Sequence, residues 1–366
     1  MAVVDTSPAG PVGSDAARPV RSVVLVGADG PLARRVERRL QMEPALARVE
    51  PDVHDDAFLD TRTHAGSDTG VDTGSDIGVD VVVDLGSSDY DRRAERRESA
   101  TEACSTTLDL ADRVQADHVV FVSSALVYGP SPNNPVPITE EAVLRPDVEF
   151  VFARQLASAE ELVEQWRRAA PARATTVLRP ALALAEGESS RLARALVAGL
   201  GWRFAVTDPP AQFLHLDDLA DAVVVAILQR LDGVYNVAPD GWVAGERVRA
   251  LSGERPRVPL PERVRDVLSR LSWRFQRGPI PPGLAPYTQA SWVVANGRLR
   301  SRGWRPTITN EQTYVEATEA PWWTMITPKR RQELTLGAAV VATIGGVVGA
   351  VWIGRLLSRR RARRRG

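Results

Sequence analysis

The sequence predicts an α/β protein whose parallel β-sheet carries helices on both faces. Short apolar runs alternate with segments of helical length, the runs are rich in valine, and Gly or Ser bounds most of them. Such runs are typical of strands that are buried on both sides of a parallel sheet. The four runs are SVVLVG (22–27), DVVVDLG (80–86), HVVFVSS (118–124) and ATTVLRP (174–180).

Helical spacing of apolar residues predicts two of the covering helices, LARRVERRLQ (32–41) and SAEELVEQWRRAA (158–170). A weaker strand is expected at 45–50. After residue 180 the alternation of strands and helices loosens, which predicts a smaller lobe over residues 181–310 beside the carboxyl edge of the sheet. Ligands of open α/β sheets bind in a crevice at that edge.

Composition limits the other possibilities. The chain has 366 residues, 44% of them apolar, and a formal net charge of zero, which indicates a globular protein with one large or two medium domains. The single cysteine, Cys104, excludes an internal disulfide and fits a reducing compartment. No two of the four histidines have metal-ligand spacing, so we expect no metal. Residues 1–20 are expected to be a flexible leader and carry no signal-peptide pattern.

A Gly- and Asp-rich duplication, GSDTGVDTGSDIGVD, occupies residues 66–80. Two copies of such a repeat cannot stack into a stable calcium-binding solenoid. We therefore expect a mobile loop over residues 65–79.

An uncharged segment near the C-terminus predicts a membrane span. LTLGAAVVATIGGVVGAVWIG (334–354) has 21 residues, and a helix of that length is about 31 Å long, which matches a bilayer core. Residues 311–333 would link it to the globular part, which we expect in the cytoplasm. Small residues at every fourth position of the span permit a homodimer, although such residues are also common in spans that do not pair. The arginine-rich tail (355–366) indicates contact with lipid headgroups rather than nucleic acid.

A glycine turn follows the first predicted strand in VVLVGADGPLARRV (23–36). Gly27 permits the tight turn, Gly30 lets backbone amides approach a pyrophosphate, and Ala33 keeps helix and strand close. The phosphates would then lie at a helix N-terminus, which favours anions. An acidic residue about twenty positions later should hold the adenosine ribose. Glu50 and Asp52 are in range, with Pro51 disturbing the strand between them.

Several stretches together resemble the extended short-chain dehydrogenase/reductases, in particular the NAD-dependent epimerase/dehydratase family with its UDP-glucose 4-epimerase-like members. The resemblance covers residues 22–310. The matching stretches are VGADGPLA (26–33), DVVVDLGSS (80–88), VVFVSSALVYG (119–129), TVLRPA (176–181), QFLHLDDLADAV (212–223), GVYNVA (233–238) and NGRLRSRGWRP (296–306).

The resemblance implies a doubly wound Rossmann-type domain over residues 21–180 that binds NAD or NADP, and a following lobe that binds a nucleotide-sugar-like molecule. By the same resemblance, cofactor contacts extend beyond the three motif residues of the glycine turn. The additional positions are Asp29, Pro31, Leu32, Leu85 and Gly86.

The family's catalytic set is only partly present. Ser124 matches the serine that hydrogen-bonds the reacting oxygen. The register set by Glu160 places Phe152 and Leu156 where the resemblance implies a tyrosine and a lysine four residues apart on one helix face. Neither side chain transfers a proton. The only lysine of the chain, Lys329, lies next to the predicted span.

Other side chains are weaker candidates for the missing chemistry. Tyr128 is a hydroxyl near Ser124, although in the family's VYG motif it mostly shapes structure. Glu140 and Glu141 follow a proline-rich loop, and Arg154 lies on the helix of Phe152. A solvated role is the simpler interpretation of all three charged residues.

Two further motifs have a structural and a functional interpretation. Arg179, at the end of a strand, could contact a substrate phosphate or form a buried ion pair. In HLDD, Asp217 or Asp218 could act in catalysis or cap the helix that follows His215, and the cap is preferred.

The leading hypothesis is a membrane-anchored protein that binds NAD or NADP, has lost tyrosine–lysine catalysis, and binds or senses a nucleotide-sugar-like ligand. The alternative is an active epimerase, dehydratase or reductase that acts on a nucleotide sugar or lipid-linked substrate with Ser124 and a non-standard acid/base. A scaffold that has also lost the cofactor is disfavoured by the complete Gly27–Gly30–Ala33 turn.

Overall fold

In the computed structural model the valine-rich runs pair into a six-stranded parallel sheet of order β2-β1-β3-β4-β5-β8, and β6 and β7 form a second parallel pair. The structure describes residues 20–51 apart from 21, 28, 45 and 47, then residues 79–200, 208–252 and 282–318. The strands are β1 (Ser22–Val26), β2 (Arg48–Pro51), β3 (Val81–Asp84), β4 (His118–Val122), β5 (Ala174–Pro180), β6 (Leu182–Leu184), β7 (Phe213–His215) and β8 (Gly233–Val237).

Helices connect the strands, and 3₁₀ turns lie at Gly86–Ser88, Ala125–Tyr128 and Pro282–Thr288. The helices are α1 (Pro31–Gln41), α2 (Tyr90–Arg96), α3 (Ala100–Arg113), α4 (Val151–Arg168), α5 (Arg191–Leu200), α6 (Leu216–Leu228), α7 (Gly245–Leu251), α8 (Gly297–Arg300) and α9 (Asn310–Ala317).

The sheet is covered on both faces, as the sequence predicts. Val23 and Leu25 of β1 belong to the core that includes α1 and α6, whereas Val24 and Val26 belong to the core that includes α3 and α4. Successive residues of a strand point to opposite faces, so a strand with both faces buried is apolar along nearly its whole length. The prediction of a doubly wound parallel sheet is therefore confirmed.

Two boundaries differ from the prediction. Strand β8 lies in the range expected for the smaller lobe, yet it pairs with β5 in the main sheet, because α6 crosses over the sheet and returns the chain parallel to β5. The segment expected as a linker from residue 311 begins instead with α9. Thr309 caps this helix together with Gln312, and Tyr314 packs on Phe213 with ring centroids 4.9 Å apart.

The compact unit that contains the sheet extends to Thr318. The predicted membrane span (334–354), the arginine-rich tail and nearly all of the predicted leader and Gly/Asp loop lie outside the described residues. Among the described residues no helix is long and apolar enough to cross a membrane.

Candidate cofactor and ligand cleft

A cleft of about 490 Å³ opens at the carboxyl edge of the sheet. Its walls come from the turn after β1, from the segments that follow β4 and β5, and from α5. Nine residues singled out in the sequence line it: Gly27, Asp29, Gly30, Pro31, Leu32, Ala33, Leu85, Ser124 and Phe152. The topology thus gathers the glycine turn and two of the positions implied by the family resemblance around one cavity.

The turn after β1 has a backbone that only glycine fits. Gly27 has a φ of +80°, and a Cβ there would lie 2.5 Å from the Cα of Gly86, which follows β3. Gly30, by contrast, has an ordinary φ of −74° and forms the N-cap of α1, with Pro31 next in the helix. The first turn of α1 carries no acidic side chain, so its free amides present an anion-favouring end to the cleft.

Charged side chains surround this turn in pairs. Asp29 forms an ion pair of 2.6 Å with Arg92, and Arg34 donates to the Asp29 carbonyl at 2.9 Å. Arg34 also pairs with Glu188 at 2.9 Å. The Nη1 of Arg92 is buried without a hydrogen-bond partner. Sequence reasoning missed Arg92, and its only signal was its place shortly after the DLGSS stretch.

The acidic residues expected at the ribose remain a prediction. Glu50 lies in β2 opposite Val24, and Pro51 ends that strand opposite Leu25, so the proline does not prevent the pairing. Asp52 lies outside the described residues, and the structure describes only the backbone of Glu50.

Ser124 lies two residues after the end of β4, and its half-buried side chain lines the cleft. Its Oγ accepts a hydrogen bond from the Leu126 amide at 3.2 Å, which begins the 3₁₀ turn. The hydroxyl proton remains available to a ligand oxygen, since Oγ acts only as an acceptor in that bond.

The first turn of α4 carries the two replaced positions. Phe152 lines the cleft and packs edge-on against Tyr90, with ring centroids 5.1 Å apart. Phe150 joins it at 6.1 Å. Leu156, one turn later, is 0% exposed and belongs to the core between α3 and α4. At positions 152 and 156 the helix therefore presents an apolar packing surface with no group that ionises.

Tyr128 and Arg179 belong to a buried network behind the cleft rather than to its lining. Arg179 is 5% exposed and pairs with Glu160 at 2.5 Å. Its Nη1 donates to the Tyr128 oxygen at 2.8 Å, and that hydroxyl donates to Asn236 at 2.8 Å. Burial raises the pKa of Tyr128 above its ordinary value. Of the two interpretations of Arg179, the structure shows the buried ion pair, and we do not assign Arg179 to a substrate.

The remaining acid/base candidates also lie away from the cleft walls. Glu140 accepts a hydrogen bond from the Asn236 amide at 3.0 Å, which fixes the loop to β8. Glu141 and Arg154 are exposed. The expected solvated role fits these last two, whereas Glu140 is a structural contact.

The helix cap predicted for the HLDD turn is wrong. His215 is the N-cap of α6, and its Nδ1 accepts from the Asp217 amide at 3.1 Å. Asp218 is fully buried in the first turn of α6, where it accepts hydrogen bonds from the Thr307 and Ile308 amides. The Asp218 carboxylate therefore holds the 307–308 segment instead of capping the helix. The local sequence pattern does not reveal that this segment lies beside α6.

Within the described part of the chain, no group of three or more His, Cys, Asp or Glu side chains is arranged to hold a metal ion. Burial raises the pKa of the Cys104 thiol, which keeps it protonated and unreactive.

A glycine turn at the end of the first strand of a doubly wound parallel sheet defines a Rossmann-type nucleotide-binding fold. Residues 23–238 match the model of the NAD dependent epimerase/dehydratase family. This match covers more than half of the chain, and the protein belongs to that family.

Solved structures with the same fold include sugar-nucleotide enzymes. The UDP-glucose 4-epimerase of Thermus thermophilus, in complex with NAD, has a TM-score of 0.55 at 16% identity, over 81% of this chain and 97% of that one. RMD from Pseudomonas aeruginosa, complexed with NADPH, has a TM-score of 0.56 at 18% identity, over 84% of this chain and all of that one. At such identities the likeness concerns the fold.

Curated relatives are uncharacterized proteins of Mycobacterium tuberculosis and Mycobacterium bovis, 30% identical over 143 residues. The alignment spans 39% of this chain and 38% of those relatives.

Proposed function

We propose that this protein binds NAD or NADP in the cleft and does not carry out the tyrosine–lysine proton transfer that the family resemblance implies. One observation carries the proposal. The glycine turn opens onto the cleft, while the helix face that should hold the proton-transferring pair presents Phe152 and Leu156, both packed in apolar surroundings.

The residues present fit a dinucleotide. The close approach of Gly27 to Gly86 leaves no side chain over the turn, and the N-terminus of α1 offers free amides to a pyrophosphate. Arg92 adds a guanidinium beside the same turn. Such a cofactor, when bound, supplies hydride chemistry at its nicotinamide.

Near the nicotinamide end of such a cofactor, the described side chains of this protein can orient a ligand but cannot take a proton from it. Ser124 can donate a hydrogen bond to a ligand oxygen. A phenol works as a base only when a cation lowers its pKa, and neither the phenol of that pair nor the cation is present at positions 152 and 156. We therefore favour a protein that binds or senses a ligand together with its cofactor.

The second ligand suggested by the family is nucleotide-sugar-like. The UDP-glucose 4-epimerase of Thermotoga maritima, solved with UDP-glucose, shares the fold at 15% identity and a TM-score of 0.54. The alternative function, an active epimerase, dehydratase or reductase on a nucleotide sugar or lipid-linked substrate, would need an acid/base that works with Ser124.

Calorimetric titration of the full chain in a mild detergent with NAD(H) and NADP(H) tests the cofactor site. We expect saturable binding of at least one form. Gly30→Glu should abolish it, because position 30 accommodates a side chain while the added carboxylate repels a pyrophosphate. Gly241→Ala, at a turn far from the cleft, is the control. Absence of binding by the unmodified chain would refute the proposal.

Turnover separates the two functions. Incubation with NAD-loaded protein and a panel of sugar nucleotides, followed by chromatography, is expected to return the sugars unchanged. Epimerised or dehydrated product that disappears in Ser124→Ala would establish the alternative instead.

We also propose that residues 334–354 anchor the protein in a membrane with the globular part in the cytoplasm. The uncharged length of the segment and the arginines after it support the anchor. The same arginines favour a cytoplasmic tail, but large domains that precede a span are not governed by this charge rule, so we favour the cytoplasmic side for the globular part. Alkaline carbonate should leave the full chain in the membrane pellet and release a chain that ends at residue 333. Protection of the globular part from protease in inside-out vesicles would contradict the orientation. Cross-linking that is lost in Gly346→Leu would support pairing of two spans.

A further inference from the structure

A short segment connects β6 to the start of α5 at the cleft, and we name its residues 185–191 the strap. Residues 187–190 of the strap line the same cleft as Gly30 of the glycine turn. The Ser189 hydroxyl donates to the Ala185 carbonyl at 2.8 Å and accepts a hydrogen bond from the Ala185 amide at 3.1 Å. The strap is therefore a compact loop that closes on itself and borders the turn proposed to bind the cofactor.

One side of the strap is held by α1. The two carboxylate oxygens of Glu188 contact different guanidinium groups, that of Arg34 at 2.9 Å and that of Arg35 at 2.5 Å. Hydrogen bonds from Arg35 and Arg34 hold the pKa of Glu188 below its ordinary value, so this carboxylate is ionised near neutral pH. Arg34 also donates to the Asp29 carbonyl at 2.9 Å. One guanidinium thus joins the strap to the glycine turn.

The other side of the strap is held by α2. The Arg191 amide donates to Asp91 at 2.6 Å, and the Arg191 guanidinium pairs with Glu95. Both of these acidic side chains line the cleft. Helices α1 and α2 follow β1 and β3, which are neighbours in the sheet. The strap therefore joins the two helices that border the glycine-turn end of the cleft.

Most of these contacts are exposed to solvent. The side chains of Arg191 and Glu95 are 65% and 60% exposed, and that of Arg34 is 52% exposed, whereas Arg35 is more covered, at 17%. Exposed ion pairs contribute little to stability, and salt screens them. Such contacts suit a segment that opens and closes rather than a permanent brace.

We propose that the strap gates the exchange of the cofactor, because its contacts with α1 and α2 must part before a dinucleotide enters or leaves the glycine-turn end of the cleft. The inference rests on the proposed function, since it concerns the cofactor proposed for that turn. A pyrophosphate at the N-terminus of α1 would lie between the two helices that the strap joins. Opening precedes both entry and release, so the strap sets both rate constants and hardly changes the dissociation constant.

Stopped-flow exchange of NADH and NADPH on the full chain in a mild detergent tests the gate. The fluorescence of the reduced nicotinamide follows association, and mixing loaded protein with excess oxidised cofactor gives the release rate. Glu188→Gln weakens the contact with α1 and should raise both rate constants about threefold or more, with a dissociation constant within about twofold of that of the unmodified chain. Glu186→Gln, at an exposed position of the same strap, removes the same charge and should change neither rate.

The α2 side has its own matched variants. Arg191→Gln removes the ion pair with Glu95 and should raise both rate constants at least about twofold. Arg194→Gln, at an exposed position of α5, is the control and should leave both rates unchanged. An effect in only one of Glu188→Gln and Arg191→Gln would contradict a strap that is held on both sides.

The gate and the proposed cofactor function fail in different ways. Binding with the same rates in Glu188→Gln and Glu186→Gln would refute the gate and leave the cofactor function standing. Faster release without faster association would mean that Glu188 holds the cofactor directly, and it would also overturn the gate. No binding of NADH or NADPH by the unmodified chain would refute the cofactor function, and the gate with it.

Discussion

At the scale of single residues, Phe152 and Leu156 occupy the positions of the implied catalytic tyrosine and lysine, and both side chains are buried. Phe152 is 7% exposed within an aromatic group that includes Tyr90 and Phe150, and Leu156 is completely covered. Replacing them by tyrosine and lysine should change the stability of the protein by different amounts, because only Phe152 borders the cleft.

Restoring the pair should therefore be asymmetric. Leu156→Lys buries an ammonium without a partner and should destabilise the protein by about 3 kcal/mol or more. Phe152→Tyr can direct its hydroxyl into the cleft and should change stability by less than about 1 kcal/mol. Thermal unfolding of both variants in the same detergent measures this. Equal losses would mean that Phe152 is packed as tightly as Leu156.

A substitution at Gly27 tests the close backbone contact between this residue and Gly86. Gly27→Ala should destabilise the protein and prevent cofactor binding, because the new Cβ would overlap the backbone of Gly86. Gly241 also has a positive φ (+67°) but open space around it. Gly241→Ala should cost only the conformational strain of about 1 kcal/mol. A comparable melting-temperature drop in the two variants would argue against the steric contact.

At the scale of elements, one buried ion pair holds α4 to the sheet. Glu160 of α4 accepts hydrogen bonds from Ser123, at the end of β4, and from Arg179 of β5. This network fixes the position of the helix that carries Phe152. It thereby supports the position of Phe152 at the cleft, although neither Glu160 nor Arg179 lines that cleft.

Removal of one partner of this buried ion pair should destabilise the protein strongly, whereas removal of one partner of an exposed pair should hardly change its stability. Glu160→Ala leaves the Arg179 guanidinium buried without its anion and should cost about 3 kcal/mol or more. The exposed pair Arg247–Glu311 provides the control, and Glu311→Ala should leave the unfolding midpoint almost unchanged. Denaturant unfolding of both variants compares them. A silent Glu160→Ala would show that the network does not hold α4.

At the scale of the whole molecule, a buried histidine makes folding depend on pH. The ring of His118 lies in β4 and contacts Thr176 at 2.9 Å and the Leu231 carbonyl at 3.1 Å. Burial lowers the pKa of His118 from 6.5 to about 4. The unfolded chain takes up this proton near pH 6.5, so between these two values it binds more protons than the folded protein.

Stability should consequently fall as the pH falls from about 6.5 towards 5, with a contribution from His118 approaching ~1.4 kcal/mol per pH unit. His118→Gln should flatten that dependence while retaining a side chain that can pair with Thr176. Denaturant unfolding at half-unit pH steps measures both slopes. Parallel slopes in the two proteins would assign the effect to another group.

Much of the architecture follows from local pattern. Strands that are buried on both faces are apolar at most positions, which is why the valine-rich runs predicted β1, β3, β4 and β5 closely. The glycine turn could be predicted from the sequence because a positive φ and a close backbone contact exclude other residues at Gly27. The helix of Phe152 was recognisable from its spacing, although it begins at Val151, earlier than the periodicity alone indicated.

The sequence by itself determined the doubly wound sheet, the place of the cofactor turn and the lack of tyrosine and lysine at positions 152 and 156, because each depends on residues close together in the chain. The pairing of Arg179 with Glu160, the contact of Asp218 with residues 307–308 and the meeting of Ser124 and Phe152 at one cleft depend on segments that are distant in sequence. No local pattern encodes which of them meet. Packing in the folded protein decides those contacts.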